Sequence, residues 1–140
     1  EPACGAILPG PELPAVLIVD DDPGARRMVV RSLKESAKEL FTAATLSDAE
    51  QAVAGRKIDV IVTDLHLGRD NALAFIKKAV KEIPVVIVTG STAAVPSEIE
   101  RESLRVRVLE KPFSGEALQT AVNELLVQQE QALMWSAAAA

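Results

Sequence analysis

The chain of 140 residues has the length of one ordinary domain, and its 49% hydrophobic content is enough for one buried core. Its 15 Lys and Arg against 20 Asp and Glu leave a formal charge of −5, which argues against any function resting on broad attraction to nucleic acid or anionic lipid. No apolar run approaches the about 20 residues needed to cross a bilayer, and the single cysteine, Cys4, lacks a disulfide or metal-binding companion, so a soluble protein of the reducing cytoplasm is expected.

Residues 1–14 hold four prolines and two glycines without apolar periodicity and read as a linker or tail. The missing initiator Met suggests an excised or processed fragment. From Ala15 onward, short apolar runs alternate with helix-like segments. Val16–Val19, Leu40–Ala44, Val60–Thr63, Val85–Thr89 and Val106–Leu109 are predicted strands, and the continuous apolar runs among them suit burial on both faces. Between them Ala25, Met28, Val29, Ser32, Leu33 and Ala37 fall at helical spacing, and Ser47 with Glu50 forms a capping-box pattern. Further helices are predicted over 72–81, near 96–103 and from Ser114 to about Gln128. Five β/α pairs imply a doubly wound α/β fold, a parallel sheet covered by helices on both sides. Residues 15–128 form the domain and 129–140 a helix extension or tail.

In an open α/β sheet, ligands bind beyond the carboxyl ends of the strands. The first predicted strand ends in Asp20, Asp21 and Asp22, the third in Asp64, the fourth in Thr89 and Gly90, the fifth in Glu110 and Lys111. Neighbouring strands lie about 4.8 Å apart, so Asp20, Asp21 and Asp64 crowd together if the first and third strands are adjacent. Such a cluster calls for a hard divalent cation with oxygen ligands. Mg²⁺ fits, and it pairs readily with phosphate. Thr89 can donate a hydrogen bond to a phosphoryl oxygen, Lys111 can place a charge on it, and a carboxylate can itself be the nucleophile.

The stretches VLIVDDDPGARRMV, DVIVTDLHLG, VVIVTGS and VLEKPF resemble, in order and spacing, the receiver domain of two-component response regulators, over about residues 15–128. The resemblance implies a flavodoxin-like five-stranded parallel sheet in the order 2-1-3-4-5. It implies Asp64 as the phosphoacceptor, Asp21 as a direct Mg²⁺ ligand, Asp20 acting on the ion through water, and His66 contributing only its backbone carbonyl. Thr89 and Lys111 match the phosphoryl-binding pair, Gly90 leaves room for the donor, and the Lys111–Pro112 bond is expected to be cis. Its implied partners are a sensor histidine kinase or histidine phosphotransfer protein, to which Arg26 and Arg27 offer a docking face, and a downstream target or tethered output domain. A homodimer is permitted and not required. No membrane contact and no direct nucleic-acid binding are expected.

The chain departs from the family pattern at three places. Asp22 is a third acid without an assigned role and is expected to face solvent. Gly68 to Ala72 replace the usual proline and Asp-Gly pair after the phosphoacceptor, and Val108 stands where an aromatic switch residue is usual. Two other readings compete. A haloacid-dehalogenase-like phosphatase would use Asp20, Asp22, Thr89 and Lys111, but it needs a late acidic motif, and no aspartate follows Lys111. A receiver-like interaction module that takes no phosphate fits Val108 and sits poorly with the complete acid, Thr and Lys set. An isolated loop histidine is more often neither ligand nor proton shuttle, which applies to the His66 imidazole.

Overall fold

The computed structural model describes residues 13–100 and 105–139, with side chains excepted at Thr92, Glu100 and 130–139. The expected leader with Cys4 (residues 1–12), the end of the segment expected near 96–103, and the Met134 and Trp135 side chains lie outside the described set. Five strands form the sheet: β1 (Ala15–Val19), β2 (Glu39–Ala43), β3 (Val60–Asp64), β6 (Val85–Thr89) and β7 (Val106–Glu110). Two short strands, β4 (His66–Leu67) and β5 (Asp70–Asn71), make a separate antiparallel ribbon. The helices are α1 (Pro23–Leu33), α2 (Leu46–Gly55), α3 (Leu73–Ala79), α4 (Ser97–Glu100) and α5 (Gly115–Ala139).

Sheet order is β2-β1-β3-β6-β7, all parallel, which is the 2-1-3-4-5 order once the ribbon is set aside. The central strands are buried because every second residue serves a different core. Leu17, Val19, Ile61, Val85 and Ile87 join the cluster under α2, α3 and α4. Val16, Ile18, Val60, Val62, Val86 and Val88 face the other side, against Val29 and Leu33 of α1 and Leu118, Val122 and Leu125 of α5. Strand side chains alternate between faces, so unbroken Val, Ile and Leu runs fit only a sheet covered on both sides.

Side chains that capture free N–H groups set helix starts, and several helix bounds differ from the sequence-based expectation. Helix α2 starts at Leu46 because extended Thr45 accepts a hydrogen bond from the Asp48 N–H at 3.1 Å, two residues before the Ser47 cap expected from the capping box. Asn71 Oδ1 accepts from the Leu73 N–H at 2.8 Å just before α3, whose N-cap position is Ala72 and carries no side-chain cap. Helix α1 ends at Leu33, short of Ala37, and α4 is only four residues, preceded by a 3₁₀ turn over Thr92–Ala94. Ser114 Oγ accepts from the Ala117 N–H at 3.0 Å, and the helix it opens continues past Gln128 through Ala139, into the segment expected as a helix extension or tail.

Ile61 is fully buried in β3, the middle strand, and touches the α2/α3 core. Ile61→Ala is expected to cost about 2–5 kcal/mol of folding stability, read as a lower urea midpoint with an unchanged denaturant slope.

Candidate functional site

The parallel order delivers the carboxyl ends of β1, β3, β6 and β7 to one edge. Asp20 follows β1 directly, is buried, and donates its backbone N–H to the Ala43 carbonyl of β2. Its Oδ1 accepts from the Asp22 N–H at 2.9 Å, and Arg26 Nη1 donates to its backbone carbonyl at 2.7 Å. Asp21 is exposed, and its Oδ2 accepts from the Gly68 N–H at 2.9 Å across 47 residues of sequence. Gly68 makes that reach at φ +62°, a left-handed conformation that suits glycine at the turn between β4 and β5.

Asp64 ends β3 and holds the centre. Its Oδ1 accepts from the His66 N–H at 3.3 Å, and its Oδ2 accepts from Lys111 Nζ at 2.8 Å. One carboxylate oxygen from each of Asp20, Asp21 and Asp64 falls within 4.8 Å of the others. Lys111 is placed by its own backbone, whose N–H donates to the Thr89 carbonyl at 2.8 Å, and the Lys111–Pro112 peptide is cis. The His66 imidazole is exposed in β4. An oxygen-only donor set of three carboxylates fits a hard divalent ion such as Mg²⁺.

Electrostatics follow the crowding. Burial raises the pKa of Asp20, and the negative charges of Asp64 and Asp21 add to it against the opposing effects of the Asp22 N–H and Lys111. Burial acts to lower Lys111, but its hydrogen bond to Asp64 and the charges of Asp64, Asp20 and Asp21 overcome that and leave its pKa raised.

Thr89 is brought to the same edge, but its hydroxyl is engaged within its own loop. Oγ1 donates to the Ser91 carbonyl at 3.1 Å and accepts from the Ser91 N–H at 3.2 Å. Gly90 is exposed, with open space where a Cβ would stand. Val108 lies opposite Ile87 in the β6/β7 register and packs on the α2/α3 core. Asp22, exposed as expected, caps α1: its Oδ1 accepts from the Gly24 N–H at 3.2 Å. The signal for this was present as Asp followed by Pro at the first helical position. Sequence reasoning missed the Arg26 and Gly68 contacts, which join residues distant in sequence or through backbone atoms.

A family profile described as the response regulator receiver domain matches residues 16–123. Regulatory protein VirG of Agrobacterium tumefaciens is 29% identical over 110 residues, covering 76% of this chain and 41% of that protein. Transcriptional regulatory protein GlrR of Escherichia coli is 26% identical over 117 residues, covering 81% of this chain and 26% of that protein. The chain thus spans between about a quarter and two fifths of the length of these curated relatives. Among solved structures, a CheY-like receiver domain protein from Methanospirillum hungatei superposes with a TM-score of 0.73 at 24% identity, covering 86% of this chain and 99% of that one. A Vibrio cholerae chemotaxis protein does so with a TM-score of 0.72 at 26% identity, covering 81% and 99%.

Since the folded state holds the Asp20 proton more tightly than the unfolded chain does, that gain is complete below the ordinary value of 3.8 and is lost as pH rises through the raised one. Asp20→Asn keeps an oxygen for the Asp22 N–H and removes the charge. Without divalent ions it is expected to raise Tm at neutral pH by a few degrees, an advantage that shrinks as the pH falls to about 4. Thermal melts of both chains across that range measure it.

Proposed function

The chain belongs to the response regulator receiver domain family, and from that premise we propose that it accepts a phosphoryl group on Asp64 from a histidine kinase or a histidine phosphotransfer protein. The observation that carries this is the 2.8 Å contact of Lys111 Nζ with Asp64 Oδ2 beside the carboxylates of Asp20 and Asp21. An oxygen of Asp64 forms a bond to phosphorus while the bond from phosphorus to the imidazole nitrogen breaks, and the nitrogen leaves with the electron pair.

Asp21 and Asp64 would hold Mg²⁺ directly, with Asp20 acting through water and His66 through its backbone carbonyl; the ion would supply positive charge beside the phosphoryl oxygens. Lys111 neutralises charge on the transferring group, and Gly90 leaves the approach open. Thr89 holds one phosphoryl oxygen after its hydroxyl leaves Ser91. The phosphorylated form shifts the population of a surface around α4, β7 and α5. Its reader is a downstream protein or a tethered output domain, outputs as different as those of a transcriptional regulator and a protein-glutamate methylesterase being named among the relatives. Among the described residues no helix is long and apolar enough to cross a membrane, and the reading places the chain in the cytoplasm without direct nucleic-acid contact. The phosphatase reading is less well supported, since Asp22 serves as a helix cap and Lys111 bonds Asp64 in preference to Asp20.

Incubation with acetyl phosphate and Mg²⁺, followed by intact-mass analysis, is expected to add one phosphoryl group to the chain and none to Asp64→Ala. Lys111→Ala is expected to react about a hundredfold more slowly. No added mass on the unaltered chain, or undiminished addition to Asp64→Ala, overturns the reading. Multiple turnover of a small phosphate ester, lost in Asp20→Asn and kept in Asp64→Ala, would replace it with the phosphatase.

A further inference from the structure

Between the amino end of α1 and the turn at Lys111–Phe113 lies a cavity of about 530 Å³, within the range of about 300–1,000 Å³ usual for small-molecule sites. Its walls are mostly apolar. Ile18, Val62 and Val88 come from the sheet, Met28 and Val29 from α1, and Phe113 from the turn. Asp20, Asp22 and Asp64 also line it, with Lys111 as the one base among them. Lys111 is engaged by Asp64 at 2.8 Å, whereas the Asp20 and Asp22 side chains accept only backbone N–H groups among the described residues. The cavity therefore joins an apolar interior to an acidic end at which neither Asp20 nor Asp22 has a charged hydrogen-bond partner among the described residues, and Met28 stands at its rim, 43% exposed.

We propose that this cavity binds a small amphipathic organic cation, its apolar ring body against Met28, Val29 and Phe113 and its ammonium against Asp20 and Asp22. Charge selects the class. A cation gains attraction from both acids, while an anion of the same shape would meet them at close range with Lys111 already committed. The apolar body supplies the area-dependent part of the affinity. The head shares Asp20 with the ion placed there under the proposed function, so on that reading the cation and Mg²⁺ exclude one another.

Tryptamine and indole-3-propionate carry one ring system with opposite charges and serve as the probes. Amide NMR titration of the full chain without divalent ions is expected to show saturable shifts with tryptamine centred on Ala25, Met28, Val29 and Phe113. Indole-3-propionate is expected to bind at least about tenfold more weakly. Ala25→Leu narrows the wall without touching an acid, and Met28→Ala removes the exposed rim; each is expected to weaken tryptamine while leaving acetyl phosphate labelling of Asp64 as before. Saturating Mg²⁺ is expected to weaken tryptamine as well. Absence of saturable shifts, equal binding of the carboxylate, or undiminished binding in both variants overturns the proposal. Tryptamine binding untouched by Mg²⁺ in a chain that still takes phosphate overturns the contact with Asp20. Saturable tryptamine binding in a chain that takes no phosphoryl group supports the cavity and overturns the Asp64 reading alone.

Discussion

Like charges held within 4.8 Å of one another at the end of a parallel sheet repel, and much of the surrounding structure offsets that repulsion. The protein's means are local and directional. Lys111 sets an ammonium against Asp64, Gly68 and His66 point backbone N–H groups at Asp21 and Asp64, and the Asp22 N–H bonds Asp20. Each donor depends on a backbone element arriving from elsewhere: the β4/β5 ribbon for Gly68, the end of β7 for Lys111, the start of α1 for Asp22. The site is therefore assembled by the sheet order, because only an order that puts β1 beside β3 brings Asp20 and Asp21 to Asp64.

The register of these strands has its own physical cause in the two cores. Odd and even positions along β1, β3 and β6 feed opposite layers, so a one-residue slip of any of them would exchange the contents of both. Register between these strands is thus tightly held, and with it the depth at which each strand end meets solvent. Asp20 stays buried and Asp21 exposed, although they are adjacent in sequence, because Asp20 still bonds β2 through its backbone and Asp21 has left the sheet.

Much of this was legible in the sequence, and the reason is specific. Runs such as Ala15–Val19 and Val85–Thr89 carry no polar residue before the strand end, so both the strand and the functional terminus announce themselves. Asp64 and Lys111 could be paired by chemistry and by resemblance, and the structure brings them to 2.8 Å. What stayed hidden involves main-chain donors and competition between neighbouring caps. Thr45 preempts Ser47, and the ribbon from His66 to Asn71 is too short for periodicity to mark. The Thr89 hydroxyl is the clearest case, since nothing in its sequence neighbourhood distinguishes a hydroxyl turned toward Asp64 from one turned onto Ser91.

Helix α5 spans 25 residues, about 37 Å at 1.5 Å per residue, whereas the five-residue strand β7 beside it covers only about 17 Å. Its first half is clamped: Leu118, Ala121, Val122 and Leu125 are buried, and Gln119 Nε2 bonds the Ser32 carbonyl at 2.6 Å. At the root of that clamp the Gly115 Cα faces Ser32 so closely that an added Cβ would stand 3.0 Å from Oγ. The helix is thus anchored to α1 at its amino half, and it carries about 20 Å more backbone than the strand beside it.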